Sequence, residues 1–163
     1  MNKNPKSDYK IRFNDCDLFG HLNNARYIDY FMNAREDHLK ECYNLDLTEY
    51  YKNGLAWVVT HHEIAYLRSA IYNEMVTVQS TLLVADNDSL FVEMIMMNQE
   101  QSHIKSIMRT KFTAINSKTG RKEQHPTEFM EWAKTIEKTE VLTPNLQDRI
   151  KELRIVFKEK EVV

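Results

Sequence analysis

A short polar stretch near the amino end of the chain groups side chains that can do chemistry. It contains Asp15, Cys16, Asp17, Gly20, His21, Asn23 and Asn24. A carboxylate just ahead of a helix can act as a general base toward water or attack a carbonyl carbon directly. The backbone amides of Gly20 and His21 would then stabilise the negative charge that develops on the carbonyl oxygen. The stretch therefore predicts a site for a polarised carbonyl, with Asp17 as its catalytic carboxylate.

Each of these residues also has a purely structural interpretation. An aspartate close to a glycine near a helix start is common in turns, so Asp15 or Asp17 can be a capping carboxylate. His21 either contacts a substrate, or orients Asp17, or is an exposed polar residue of the loop. Cys16 has carboxylate neighbours, which raise the pKa of a thiol and oppose formation of the thiolate. We therefore expect Cys16 to be a small buried side chain and not a nucleophile.

Metal ligation by this stretch is disfavoured. Its carboxylates, thiol and histidine are ligand types that suit zinc, but adjacent strand residues point to opposite faces and no second ligand pair follows at a familiar spacing. The run His61-His62-Glu63 lies in a predicted strand, where neighbouring side chains diverge in the same way. The sequence predicts neither a metal site nor an organic cofactor.

The flanking patterns place the stretch between a strand and a helix. Apolar and basic residues alternate over 9–13, which predicts a half-buried strand. Apolar residues recur at three- and four-residue spacing over 27–42, as on a helix that faces a core. Asn23 or Asn24 is placed to cap that helix through its side-chain oxygen. The free amides and the dipole of the helix end favour negative charge beside the stretch.

Four more strands are predicted downstream, over 56–67, 76–84, 90–98 and 104–114. Strands joined by short turns pair antiparallel, so we expect a meander of these four with the first strand added at one edge. The continuous apolar run over 90–98 indicates burial on both faces. A long helix packed on such a sheet belongs to the α+β class. Open sheet edges invite a second copy, so we predict a homo-oligomer.

The last predicted strand and the region after it carry two further patterns. A basic run is interpreted as a solvated face that could meet substrate phosphates; it comprises Lys105, Arg109, Lys111, Lys118, Arg121 and Lys122. A short helix is predicted over 126–133, and a charged linker follows at 137–140. Thr143 and Pro144 would begin an amphipathic helix over 144–157 that packs on the domain or on a partner subunit.

Composition limits the function classes. The chain has 163 residues and a formal net charge of -2, which gives no basic surface for nucleic acid. Its 2 cysteines are too few for a disulfide framework and suggest a reducing compartment. No apolar run approaches the roughly 20 residues of a membrane span, and no secretory signal is visible. We therefore expect a cytoplasmic protein.

The run from Asp15 to Tyr27 resembles the signature of hot-dog-fold acyl thioesterases of the 4-hydroxybenzoyl-CoA thioesterase type. The shared pattern is an aspartate, two variable residues and a glycine, followed here by His-x-Asn-Asn. The segment 66–74 resembles a second stretch of the same family. It departs from the family at Ser69, Asn73 and Glu74, where proline, glycine and aspartate are usual. Some relatives also have histidine at the position of Asn24 and tyrosine at that of Phe13.

The resemblance implies a hot-dog fold, in which a curved antiparallel sheet of about five strands wraps a long central helix. Residues 1–135 would form this domain, and 136–163 a charged linker and a C-terminal helical extension. The resemblance also implies dimers or dimers of dimers with an active site between subunits. Its site residues are Asp17 as the catalytic carboxylate, the amides of Gly20 and His21 at the thioester carbonyl, and Asn23, Asn24 and Arg68 as substrate-binding residues.

The predicted function is hydrolysis of an acyl thioester carried on coenzyme A or on acyl carrier protein. Two alternatives stay open at this stage. A non-catalytic hot-dog protein could bind acyl-CoA or an acyl carrier without cleaving the thioester. Hydration or dehydration of acyl thioesters is the other, although the acid and histidine arrangement of such relatives is not found in this sequence.

Overall fold

An antiparallel sheet of five strands packs against one long helix, as the α+β prediction requires. The computed structural model describes residues 1–141 and 143–161. Its strands are β1 (Lys6–Lys10), β2 (Leu55–Tyr66), β3 (Met75–Ala85), β4 (Ser89–Asn98) and β5 (Ile104–Asn116). Its helices are α1 (Arg26–Tyr43), α2 (Leu47–Lys52), α3 (Thr127–Ile136) and α4 (Leu146–Glu161). None of the helices in the described part of the chain is long and apolar enough to cross a membrane.

The strand order is β1-β3-β4-β5-β2, so the predicted four-strand meander is wrong for β2. β2 pairs with β5 and forms one edge of the sheet, and β1 forms the other edge beside β3, as predicted. Residues 67–74, here called the crossing link, carry the chain from β2 to β3. The crossing link forms no hairpin, because its backbone bonds instead to Ile11, to Lys105 and to the loop that precedes α1.

The first strand is shorter than the alternation over 9–13 predicts. Beyond Lys10, the amide of Ile11 donates to the carbonyl of Glu74 at 2.8 Å, so the chain leaves β3 and pairs with the crossing link. Ile11 is still fully buried, whereas Phe13 lies in a short 3₁₀ turn and is 78% exposed.

The helix and the inner face of the sheet share one core. α1 buries Tyr27, Phe31 and Ala34 at the predicted three- and four-residue spacing. Met94 and Met96 of β4 pack in the same cluster. The neighbouring residues of β4 face the other side and pack under α4, whose apolar residues are Leu146, Ile150, Leu153 and Phe157. The prediction that β4 is buried on both faces is confirmed.

The basic run on β5 is not a solvated face at its first two positions. Lys105 is 5% exposed and pairs with Glu74 at 2.8 Å, and Arg109 is 1% exposed and pairs with Glu93 at 3.0 Å. Arg149 of α4 reaches the same Glu93 at 3.0 Å. That prediction was wrong because the crossing link covers Lys105, which also donates to the carbonyl of Ser69, and α4 covers Arg109. The rest of the run, from Lys111 onward, is exposed.

α4 begins later than Thr143 and Pro144 predict. Its first helical residue is Leu146, and the side-chain oxygen of Asn145 accepts the amide of Gln147 at 2.8 Å. Thr143 instead donates its hydroxyl to Glu152 at 2.7 Å. The predicted amphipathic helix does pack on the domain, against the outer face of the sheet.

The buried His38 of α1 makes the stability of this fold depend on pH. Burial, and then the charge of Arg35, lower the pKa of His38 from 6.5 to about 4. The unfolded chain therefore takes up this proton at a higher pH than the folded chain does. We expect the contribution of His38 to be complete above pH 6.5 and to be lost as the pH falls toward about 4. The loss in the free energy of unfolding is at most about 1.4 kcal/mol per pH unit.

Urea unfolding of the parent protein and of His38→Asn, at one protein concentration, measures this effect. Asparagine can still bond to the neighbouring Ser80 but does not titrate, so the variant should lose stability more gradually on acidification. Burial also lowers the pKa values of His62 and His125, and these contribute equally to both proteins. If the free energy of unfolding depended on pH equally in the two proteins, the effect could not be assigned to His38.

Candidate active site

The loop over residues 13–25, here called the site loop, folds back on the carboxylate of Asp17. Oδ1 of Asp17 accepts the amides of Phe19 at 2.9 Å and of His21 at 3.1 Å. The amide of Asp17 donates to the carbonyl of His21 at 2.8 Å, which closes the turn. Gly20 has a φ of 74°, a backbone conformation that glycine adopts without strain. One oxygen of Asp17 is thus held by backbone donors, and the side chain is exposed.

The two predicted oxyanion donors are both occupied in this conformation. The amide of Gly20 donates to the carbonyl of Asp17 at 3.1 Å, and that of His21 to the Asp17 carboxylate. Their role at a substrate carbonyl stays a prediction and requires these bonds to open. Among the described residues, the amide of Asn24 has no acceptor. It lies two residues before the first residue of α1, and only the side chain of Asn24 was singled out from the sequence.

Asn23 closes the turn that leads into α1. Its side-chain oxygen accepts the amide of Ala25 at 3.0 Å, and its carbonyl accepts the amide of Arg26 at 2.8 Å. The predicted cap of α1 by Asn23 or Asn24 is therefore wrong: the N-cap residue is Ala25, without a side-chain cap, and Asn23 binds the amide that precedes the first turn. A substrate-binding role of Asn23 stays a prediction.

The structure distinguishes the two candidate carboxylates. Asp15 accepts the hydroxyl of Tyr30 at 2.7 Å. Burial is the largest cause that raises the pKa of Tyr30 to about 12, and the bond to Asp15 and its charge act in the same direction. The side chain of Asp15 is therefore bonded to a residue of α1, whereas that of Asp17 is bonded only to amides of the site loop. Burial, together with the charges of Asp15 and Asp17, raises the pKa of Cys16, which agrees with the prediction of an unreactive thiol.

The crossing link and the end of β2 hold the site loop in place. The amide of Tyr72 donates to the carbonyl of Gly20 at 2.8 Å, and the amide of Leu22 to that of Ala70 at 2.8 Å. The hydroxyl of Tyr66 donates to the carbonyl of Asn24 at 2.8 Å. Sequence analysis did not identify Tyr66 as a positioning residue, because nothing local shows that the end of β2 meets the start of α1.

Arg68 lies near the site loop and His21 lies within it. Among the described residues, neither side chain has a hydrogen-bond partner that would define its role. Arg68 lies in the crossing link, donates its amide to Lys105 at 3.1 Å and has an exposed side chain. The His21 side chain is exposed as well. Within residues 1–141 and 143–161, no three His, Cys, Asp or Glu side chains meet in a way that could hold a metal ion.

Apolar side chains surround Asp17 on the surface. This loop patch consists of Phe13, Leu18, Phe19, Ile71 and Tyr72, which are 78%, 102%, 83%, 50% and 51% exposed. The rings of Phe13 and Tyr72 meet edge to face at 5.7 Å. A monomeric protein seldom exposes so many large apolar groups together, so the patch indicates an interaction surface.

An apolar cavity of about 500 Å³ lies between α1, α2 and the sheet. Its apolar wall includes Met32, Leu39, Leu82, Leu90, Val92, Phe112, Phe129, Trp57 and Trp132. Asp17 does not line it. Met32 is the first residue of α1 in the wall, about 9 Å along the helix axis from its start at the rise of an α-helix. Within one chain, the carboxylate and the cavity are therefore separated along α1.

Two sequence comparisons with known proteins both identify thioesterases as relatives of this chain. The sequence model of the thioesterase-like superfamily matches residues 11–133. Long-chain acyl-CoA thioesterase FadM of Escherichia coli (strain K12) is 26% identical over 115 residues, which cover 70% of this chain and 85% of that protein.

Solved structures share the fold. YbaW, a probable thioesterase from Escherichia coli, superposes with a TM-score of 0.70 at 25% identity, covering 82% of this chain and 98% of that one. The DHNA-CoA thioesterase of Staphylococcus aureus superposes with a TM-score of 0.72 at 16% identity, covering 98% of this chain and 97% of that one. These similarities confirm the hot-dog fold that the sequence pattern implied.

Proposed function

Since the chain belongs to the thioesterase-like superfamily, we propose that it hydrolyses acyl thioesters of coenzyme A at Asp17. The observation that carries the proposal is the geometry of this carboxylate in the site loop, which leads into α1. Backbone amides hold Oδ1, so Oδ2 is left to take a proton from water or to attack the thioester carbon. In the first route, the activated water attacks the thioester carbon and the thiol leaves. In the second, attack by Asp17 expels the thiol and forms a mixed anhydride, which water then hydrolyses. Both routes break the carbon–sulfur bond and, with water consumed, release the acid and the thiol.

The start of α1 supports the charge that develops on the carbonyl oxygen. α1 is 18 residues long, and its amino end carries the positive end of the helix dipole. The unpaired amide of Asn24 provides a donor there, and the amides of Gly20 and His21 can add to it once their internal bonds open. A single donor of this kind is typically worth a few kcal/mol in the transition state.

The apolar cavity is the acyl site in this proposal. Its volume and its aromatic wall suit a long hydrocarbon tail, and the name of the FadM relative points to the same class of substrate. Each buried methylene contributes about 0.8 kcal/mol. The chain should therefore favour long acyl groups over short ones.

A second copy of the chain joins the carboxylate to a cavity. β2 is an unpaired sheet edge of 12 residues without lysine or proline, and its central residues, 58–61, are exposed. Such an edge favours pairing with another strand. If two copies of β2 pair antiparallel about their midpoints, Tyr66 of one copy lies opposite Leu55 of the other.

This pairing places the Asp17 carboxylate of one copy near the apolar cavity of the other, whereas the two are apart within a single chain. Tyr66 bonds to Asn24 at the site loop, and Trp57, close to Leu55, lines the cavity. The site loop of each copy then lies beside the cavity of the other, and the loop patch gains a partner. The proposed enzyme is a homodimer with two equivalent sites between its subunits.

Hydrolysis of a panel of CoA thioesters tests the proposal. We expect release of free thiol from dodecanoyl- and hexadecanoyl-CoA, with kcat/KM higher than for butanoyl- or benzoyl-CoA. Hexadecanoyl carrier protein, assayed in parallel, distinguishes the two carriers. Tight binding of every thioester without thiol release would contradict the proposal and favour the non-catalytic acyl-binding alternative.

A further inference from the structure

An arginine forms part of the wall of the apolar cavity. Arg35 of α1 is 6% exposed and lines the cavity beside Met32 and Leu39. Its Nη1 donates to the hydroxyl of Ser80 at 2.9 Å. None of the ion pairs among the described residues includes Arg35, and a further side-chain hydrogen-bond partner is Tyr43, which carries no charge. A guanidinium is charged at any physiological pH, so this charge is buried without an acid.

The surroundings of Arg35 supply neutral polar groups and no carboxylate. The Ser80 hydroxyl, which accepts from Arg35, also lies 2.7 Å from Nδ1 of His38, and the tautomer of the imidazole decides which of these two atoms donates. Nε2 of His38 is buried and has no partner among the described residues. The ring of Tyr43, with its centroid 6.0 Å from Cζ of Arg35, neutralises no charge. These hydrogen bonds leave the positive charge of Arg35 without a carboxylate partner.

A structural role explains this arrangement poorly. Burial of a charge that lacks a counter-charge lowers stability, and a leucine or methionine would complete the wall without that cost. Glu36, the one acid of the lining, is exposed and belongs to the open side of the cavity. An anion that entered from the cavity would neutralise this charge.

We propose that the cavity selects acyl groups whose far end carries a carboxylate, and that this carboxylate binds Arg35. A carboxylate matches the planar donors of a guanidinium and accepts two parallel hydrogen bonds. The hydrocarbon between the two ends contacts the aromatic wall, including Trp57 and Trp132. The inference rests on the proposed function for its substrate class, because the thioester end of the same molecule lies at Asp17.

Intrinsic fluorescence tests the binding directly. The sequence has 2 tryptophans, and both line the cavity. The probes are hexadecyl-CoA, a thioether that cannot be hydrolysed, and the same thioether with a carboxylate on its last carbon. We expect the carboxylate form to bind the parent protein at least about tenfold more tightly, as a charge-assisted pair allows. Arg35→Met should reverse this preference, and Arg154→Met, which removes an exposed arginine, should keep it.

Equal or weaker binding of the carboxylate form by the parent protein would overturn the inference, whether or not Arg35→Met folds. An undiminished preference in folded Arg35→Met would overturn it as well. Turnover separates this inference from the proposed function. Hydrolysis of hexadecanoyl-CoA without any carboxylate preference refutes the inference alone, and carboxylate preference in binding without hydrolysis of any thioester refutes the function alone.

Discussion

Replacement of Asp17 by asparagine is expected to lower kcat by about 10²–10⁴-fold, the usual contribution of a positioned acid or base. Asparagine keeps an oxygen that can accept the amides of Phe19 and His21, so the turn of the site loop should persist. What it loses is the negative charge that abstracts a proton or attacks the thioester. The change therefore acts on the chemical step and not on folding.

Thiol release from hexadecanoyl-CoA measures the loss, and tryptophan fluorescence with the thioether probe measures whether binding persists. The matched control is Asp15→Asn, which removes the neighbouring carboxylate that Tyr30 engages. Its turnover should stay within a few-fold of the parent's. A larger loss of turnover in Asp15→Asn than in Asp17→Asn would show that Asp15, and not Asp17, is the catalytic carboxylate. Turnover at the parent's level in Asp17→Asn would refute the mechanism.

The local pattern of apolar residues was sufficient to predict those helices and strands in which buried residues recur at a regular spacing. The spacing of Tyr27, Phe31 and Ala34 reflects one buried face of α1, and the continuous apolar run of β4 reflects two. Such patterns report how each residue is buried but not which element buries it. The position of β2 at the sheet edge and the burial of Arg109 under α4 depend on contacts between distant parts of the chain, so the sequence predicted neither.

In the candidate site, too, the local pattern predicted some features and not others. The order of Asp17, Gly20 and His21 along the chain predicted a tight turn before a helix, and the structure has one. The bond of the His21 amide depends on the rotation of the Asp17 side chain, and that of the Gly20 amide on the exact backbone turn; spacing specifies neither. Arg35 was not recognised because an arginine within a helical pattern is usually solvated. The domain boundary after residue 135 and a cytoplasmic location stay predictions.

Two variants that are each inactive are expected to recover activity when they form mixed dimers. Asp17→Asn removes the carboxylate, and Leu90→Trp fills the cavity with an indole ring. If each site combines the site loop of one copy with the cavity of the other, a mixed dimer has one intact site. That site pairs Asp17 of the Leu90→Trp copy with the open cavity of the Asp17→Asn copy. Random association of equal amounts should restore about a quarter of the parent's activity.

Refolding of the mixed variants from urea, followed by thiol release from hexadecanoyl-CoA, measures the recovery. The control mixes Asp17→Asn with the double variant that carries both changes, because no combination of those chains contains an intact site. If the carboxylate and the cavity of a single chain formed the site, the first mixture would recover no activity either. Absence of recovery, with mixed dimers demonstrated in solution, would therefore contradict pairing through β2, while Asp17 could still be the catalytic carboxylate.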